Sequence, residues 1–85
     1  MAKVKCFSIA GMTLWFWSND HEPPHFHAKR KGAWEVAVRF LEQEENMLEL
    51  KWQARPMSSH DRKVLGERVM KHRVELLLEW ESIHP

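Results

Sequence analysis

Between Asp20 and His27 the chain reads Asp20-His21-Glu22-Pro23-Pro24-His25-Phe26-His27, three imidazoles and two carboxylates in eight positions. Imidazole titrates closest to neutrality, and its free base is the commonest metal ligand among side chains. If His25 and His27 lie on a strand, their i, i+2 spacing puts both rings on one face, roughly 6 to 7 Å apart from the rise per residue. Rings so placed can share a metal ion or an anion, and Asp20 or His21 on the preceding loop would add a third ligand. Imidazole and carboxylate suit Zn, Ni, Mn or Fe, so the implied cofactor is a divalent transition metal held by His25 and His27. With an open coordination position such a site is catalytic in character. The same residues allow general acid–base catalysis or anion binding. They also suit plain polar surface positions on a strand stiffened by Pro23-Pro24. The spacing is neither H-E-x-x-H nor a cysteine-based zinc pattern, so all three readings stay open.

The elements that would position these residues follow from periodicity. Lys3–Ile9 and Met12–Ser18 are β-branched, aromatic and aliphatic around Ala10-Gly11, which predicts two strands joined by a tight turn. Met12–Trp17 is nearly apolar on both faces and expects cover on each. Asn19–Pro24 is a loop, because two prolines remove ladder donors and Asn and Asp favour local turns. His25–Lys31 is a third strand, Trp34–Phe40 a fourth with clean period-two alternation, and Leu48-Glu49-Leu50-Lys51-Trp52 a fifth. Trp34, Trp52 and Trp80 fall in the apolar phase of their elements.

The turn at Gly32 decides which way the histidines face. A two-residue Lys31-Gly32 loop pairs His27 with Val36 and turns both rings to the core. A three-residue Arg30-Lys31-Gly32 loop pairs His27 with Glu35 and Phe26 with Val36. The second buries Phe26 rather than two polar rings, so it is the expected register, with the histidines away from the main core. Ser58-Ser59-His60-Asp61 has the form of a capping box, and a long helix follows. Leu65, Val69, His72, Leu76, Trp80 and Ile83 form its apolar stripe, which places an imidazole inside that stripe. The expected fold is α+β: an antiparallel meander of about five strands, with one long C-terminal helix packed on one face, in a single domain spanning residues 1–85.

Composition bounds what such a domain can do. The chain has 85 residues, 44% hydrophobic and 29% charged, with a formal net charge of +1. It is large enough for one core but not for a deep enclosed cleft, and no bulk field draws it to nucleic acid or an anionic membrane. A single cysteine, Cys6, excludes an internal disulfide, and no apolar run of membrane-spanning length occurs. A cytoplasmic location without membrane contact is the expectation. Cys6 reads as a small buried hydrophobe rather than a nucleophile. P-loop, G-x-G-x-x-G and G-x-S-x-G motifs are absent, which leaves nucleotide hydrolysis and serine-hydrolase chemistry without support. Lys29-Arg30-Lys31, with Trp15, Trp17 and Trp34 nearby, makes RNA an alternative partner. Trp15 and Trp17 share a face and would form an exposed interface patch if the helix covers the other side.

Asn19-Asp20-His21-Glu22-Pro23-Pro24-His25-Phe26-His27-Ala28 closely resembles the hallmark N-D-H-x-P-P-H-F-H-A of the bacterial family called domain of unknown function 4160. His72-Arg73-Val74-Glu75-Leu76-Leu77 with Trp80 is similar to that family's H-R-x-E-L-L-x-x-W segment. The N-terminus and Gln43–Arg55 depart from its pattern. By this resemblance Asp20, His21, His25, His27 and His72 are the positions expected to carry a site. Members look like components of toxin–antitoxin-type modules, often encoded beside another small domain. The resemblance therefore implies a protein-interaction component that binds a cognate small protein or a second copy of itself. The rival expectation is a histidine-dependent ribonuclease, working with or without a metal.

Overall fold

A computed structural model describes residues 1–85. The strands β1 (Ala2–Lys3), β2 (Thr13–Phe16), β3 (Phe26–Arg30), β4 (Trp34–Val38) and β5 (Leu48–Gln53) form one antiparallel sheet in chain order. A 3-10 turn at Glu44–Asn46 precedes β5, and the helix α1 (Ser59–Ile83) follows it. The expected meander with one long C-terminal helix is thus the fold. Its core lies between one sheet face and α1: Leu14, Phe16, Phe26, Ala28, Trp34, Val36 and Val38 from the sheet meet Leu65, Val69, Leu76 and Trp80 from the helix. These are the alternating positions of β2, β3 and β4, so the period-two pattern selects the buried face.

Ser58 caps α1 as the sequence predicts, its Oγ accepting the Asp61 backbone N–H at 3.0 Å. The return arm of a capping box is not made, because the Asp61 carboxylate has a stronger partner. Arg30 Nε and one terminal nitrogen both donate to it at 2.9 Å, a two-pronged ion pair that ties β3 to the first turn of α1.

That pair also corrects the hairpin register. Arg30 stays in β3 opposite Trp34, and the turn moves one residue onward, with Ala33 N–H donating to Arg30 C=O and Gly32 at φ +75°. A positive φ at the third position of a four-residue turn, after a residue with negative φ, is the type II pattern. Phe26 therefore pairs with Val38 and His27 with Ala37, two residues beyond the expected Val36 and Glu35. A shift of two preserves the face, so Phe26 still points to the core and His27 away from it.

Three further expectations change. The first strand ends at Lys3 and not Ile9, because the Glu79 carboxylate of α1 accepts the backbone N–H groups of Lys5 and Cys6 at 2.8 and 2.9 Å and draws the chain off the sheet. Trp52 is not in the core but 40% exposed. Glu35 pairs with Trp52 and Val36 with Leu50, so Lys51 is bulged out and everything beyond it in β5 changes face. Trp15 is not part of an exposed patch: it is 5% exposed, its ring stacked on His27 at 5.4 Å and edge-on to Trp17 at 6.2 Å, while Trp17 alone remains 41% exposed.

Candidate functional site

The loop from Asn19 to His25, the start of β3 and the last turns of α1 meet at one end of the sheet. Asp20 and His27 reach each other there because β2 and β3 pair directly, Trp15 opposite His27, and the connecting loop folds back over that end. Asp20 Oδ2 stands 2.9 Å from His27 Nε2 and 3.3 Å from His25 Nε2. One donor atom from each of the three residues lies within 4.8 Å of the others. The two imidazole rings are 5.2 Å apart and nearly perpendicular, closer than the expected 6 to 7 Å. The reason is that His25 precedes β3 instead of lying in it, and its ring leans on Trp80 at 5.6 Å. Trp80 in turn stacks on His84 at 3.7 Å.

The outer hydrogen bonds fix what each ring presents. His25 Nδ1 lies 2.8 Å from the Pro23 carbonyl, which can only accept, so Nδ1 carries the proton. In the neutral ring Nε2 is then a bare lone pair, and it faces a carboxylate oxygen at 3.3 Å. The two acceptors stand close without hydrogen-bond geometry between them, and a cation shared by both would relieve their repulsion. Outer-shell donation of this kind, from the far nitrogen to a backbone carbonyl, is how metal-bound imidazoles are held. His27 differs. Neutral His27 donates Nε2–H to Asp20, and its Nδ1 is buried without a partner, so the ring is oriented by its stack on Trp15.

The other proposed site residues lie elsewhere. His21 is exposed on the loop and outside the cluster. His72 belongs to a second group with Cys6 and Glu75, at a point where α1 departs from helical geometry (φ −117°, ψ 18°). Its Nδ1 is 2.9 Å from Glu75 Oε1 and its ring stacks on Phe7 at 5.2 Å. The apolar stripe of α1 therefore accommodates His72 by giving it Glu75 one turn on, as a satisfied polar group at the core edge.

Cys6 in that second group is a poor nucleophile. Burial first, then the Glu79 and Glu75 carboxylates, push its thiol from 9.0 up to about 12. At pH 8 the folded chain should hold about a thousandfold less thiolate than an exposed cysteine. Ellman's reagent should therefore react slowly with the native protein and promptly in guanidinium. Because the folded value is raised, this thiol's contribution to stability is intact below pH 9 and fades as pH rises toward about 12. Fast native labelling at pH 8 would contradict this.

Sequence reasoning missed three features of the surface. Asp20 is the hub joining both rings, which spacing alone leaves level with His21. Trp15 is a buried wall and not an exposed platform. Met70, Val74 and Leu78 form an outward stripe on α1 at helical spacing, 58, 73 and 61% exposed; the i, i+4, i+8 repeat was available to find it. No helix of the chain is long and apolar enough to cross a membrane. No curated protein and no solved structure matches the chain. The family model described as Domain of unknown function (DUF4160) matches residues 11–81, from the Gly11 turn through β2–β5 and nearly all of α1, and the chain belongs to that family.

Proposed function

We propose that Asp20, His25 and His27 form a divalent transition-metal centre and that the activity of this domain rests on it. The observation that carries the reading is the placement of Asp20 Oδ2 against both imidazole Nε2 atoms, at 2.9 and 3.3 Å. Around a tetrahedral ion with bonds of about 2.1 Å, neighbouring donors stand about 3.4 Å apart, so small ring movements, with the His27 proton moved from Nε2 to Nδ1, would admit a cation. Three protein ligands leave a position for water, and a bound metal supplies Lewis acidity and a more acidic water there, the character of a hydrolytic centre. The chain's part is to orient the donors: Pro23 C=O fixes His25, Trp15 and Trp80 hold the two rings in place, and Asp20 supplies the anionic ligand. The Cys6–His72–Glu75 group is the weaker candidate because its thiol would first have to lose a firmly held proton.

Zinc that binds only the folded chain should raise its melting temperature. At a free concentration about a hundred times Kd the stabilisation is about 2.7 kcal/mol. Addition of EDTA should reverse it. A melting temperature indifferent to zinc, cobalt, nickel and manganese would remove the proposal.

A second reading, an interaction component of a toxin–antitoxin-like pair, is favoured by the Met70, Val74 and Leu78 stripe. Its occupant would be an amphipathic segment of a cognate small protein, matching an apolar line flanked by Glu67, Lys71 and Glu81. Val74→Glu should leave stability within about 0.5 kcal/mol of the parent, as for other exposed sites. It should abolish co-elution with a cognate small protein. Co-elution unaffected by the substitution would exclude the stripe, and concentration-dependent sedimentation of the chain alone would replace the cognate partner by a second copy.

A further inference from the structure

We propose that the groove on the open face of the sheet binds a single-stranded nucleic-acid segment, with phosphates on Lys29 and Lys31 and a base against Trp17. The groove is open to solvent, about 400 Å³, and lined by Thr13, Trp15, Trp17, Lys29, Lys31 and Glu35 beside Met1. Alternation along β2, β3 and β4 places Thr13, Trp15, Lys29 and Glu35 on the face opposite the core, and Trp17 and Lys31 line the same groove just beyond the strand ends.

Charge complementarity names the occupant. On the same face, Arg39 and Lys51 are both paired with Glu49, at 3.4 and 3.1 Å. Lys51, by hydrogen bond and by charge, holds the Glu49 carboxyl below the usual range, so both cations at that end of the face are already engaged with a carboxylate. Lys29 and Lys31 make no ion pair, although Glu35 sits opposite Lys29 in register. Two unpaired ammonium groups beside a 41% exposed tryptophan are the elements of a sequence-tolerant single-strand site. Trp15 adds an independent sign. It is 5% exposed, it lines the groove, and its Nε1–H has no acceptor within the chain. A buried N–H left unpaired is costly, and an acceptor on a bound base or phosphate would satisfy it.

The inference rests on the metal-centre reading in one respect: Trp15 forms a wall of the groove and also stacks on His27, so the groove becomes the substrate side of that centre. Binding itself needs no metal.

The test is fluorescence anisotropy with labelled oligouridylate and oligothymidylate of about ten nucleotides, within the usual single-strand site size, and a duplex of equal length. It is run at low salt, with EDTA and again with zinc. Binding of either single strand, weakening with salt and exceeding duplex binding, is expected. Lys29→Glu/Lys31→Glu should weaken it at least about tenfold and Trp17→Ala about fivefold or more. Arg62→Glu/Lys63→Glu, equal in charge change but on exposed α1 positions, should match the parent. All variants should keep parental zinc response and melting behaviour, which shows them folded. No binding at low salt, equal loss in both double variants, or duplex preference would overturn the groove. Zinc binding that survives such a failure would leave the metal centre standing, and oligonucleotide binding without any zinc response would do the reverse.

Discussion

Asp20→Asn is expected to lose zinc affinity by more than about a hundredfold while the chain stays folded. Removing an outer-shell partner of a metal site already costs about 10- to 100-fold, and Asp20 would be a direct ligand and the only anionic one. Asparagine keeps the shape, and its carbonyl can still accept the Nε2–H of His27, now 2.9 Å away. What it loses is charge, so a charge-assisted bond becomes a neutral one of about half the strength. Stability should therefore fall by only about 1 kcal/mol. The two readouts separate a ligand from a brace: if Asp20 serves only to hold the two rings, stability and zinc response fall together or zinc has no effect in either protein. Zinc affinity is read by competition with a chromophoric chelator, and it should weaken on acidification as protons compete for the imidazoles. Equal affinity in parent and variant would eliminate Asp20 as a ligand.

Asp61→Ala should be the most damaging single change outside the apolar core. The Asp61 carboxylate accepts two bonds at 2.9 Å from the Arg30 guanidinium and is 9% exposed, while the Arg30 side chain is 30% exposed. Deleting one member of a buried pair strands the other charge and costs about 3–5 kcal/mol. Partial exposure of Arg30 puts the expected loss at the lower end, about 3 kcal/mol, in urea unfolding with an unchanged m-value. Arg30→Met/Asp61→Leu should regain most of it, because an apolar pair of similar volume avoids the desolvation cost. A loss below about 1 kcal/mol in the single variant, the level of an ordinary surface pair, would show that the link between β3 and α1 is not an important one.

Local patterns were legible where each element's own period decides its burial. Trp34, Val36 and Val38 alternate and are buried; Leu65, Val69, Leu76 and Trp80 follow the helical stripe and are buried. Ser58 announces the helix start and caps it. Failures fall where a distant residue intervenes. Glu79 takes the N–H groups of Lys5 and Cys6 from more than seventy positions away and ends β1 early. Arg30 holds its strand position through Asp61 and displaces the turn. One bulged residue, Lys51, carries Trp52 to the other face, and no alternation pattern within β5 marks where a bulge will fall. The site divides in the same way. His25 and His27 stand out by type and density, whereas Asp20 is selected over His21 by the path of a loop, and His72 is drawn away by Glu75 and Phe7.

Imidazole nitrogen chemical shifts, followed through a zinc titration, test the metal centre most directly. Saturation at one equivalent is expected, with Nε2 of His25 and His27 moving together toward ligated values. Nδ1 of His25 should stay protonated on the Pro23 carbonyl, and His21, His60, His72 and His84 should not respond. Movement of His72 in place of the pair, or six imidazoles that ignore zinc, would contradict the metal centre.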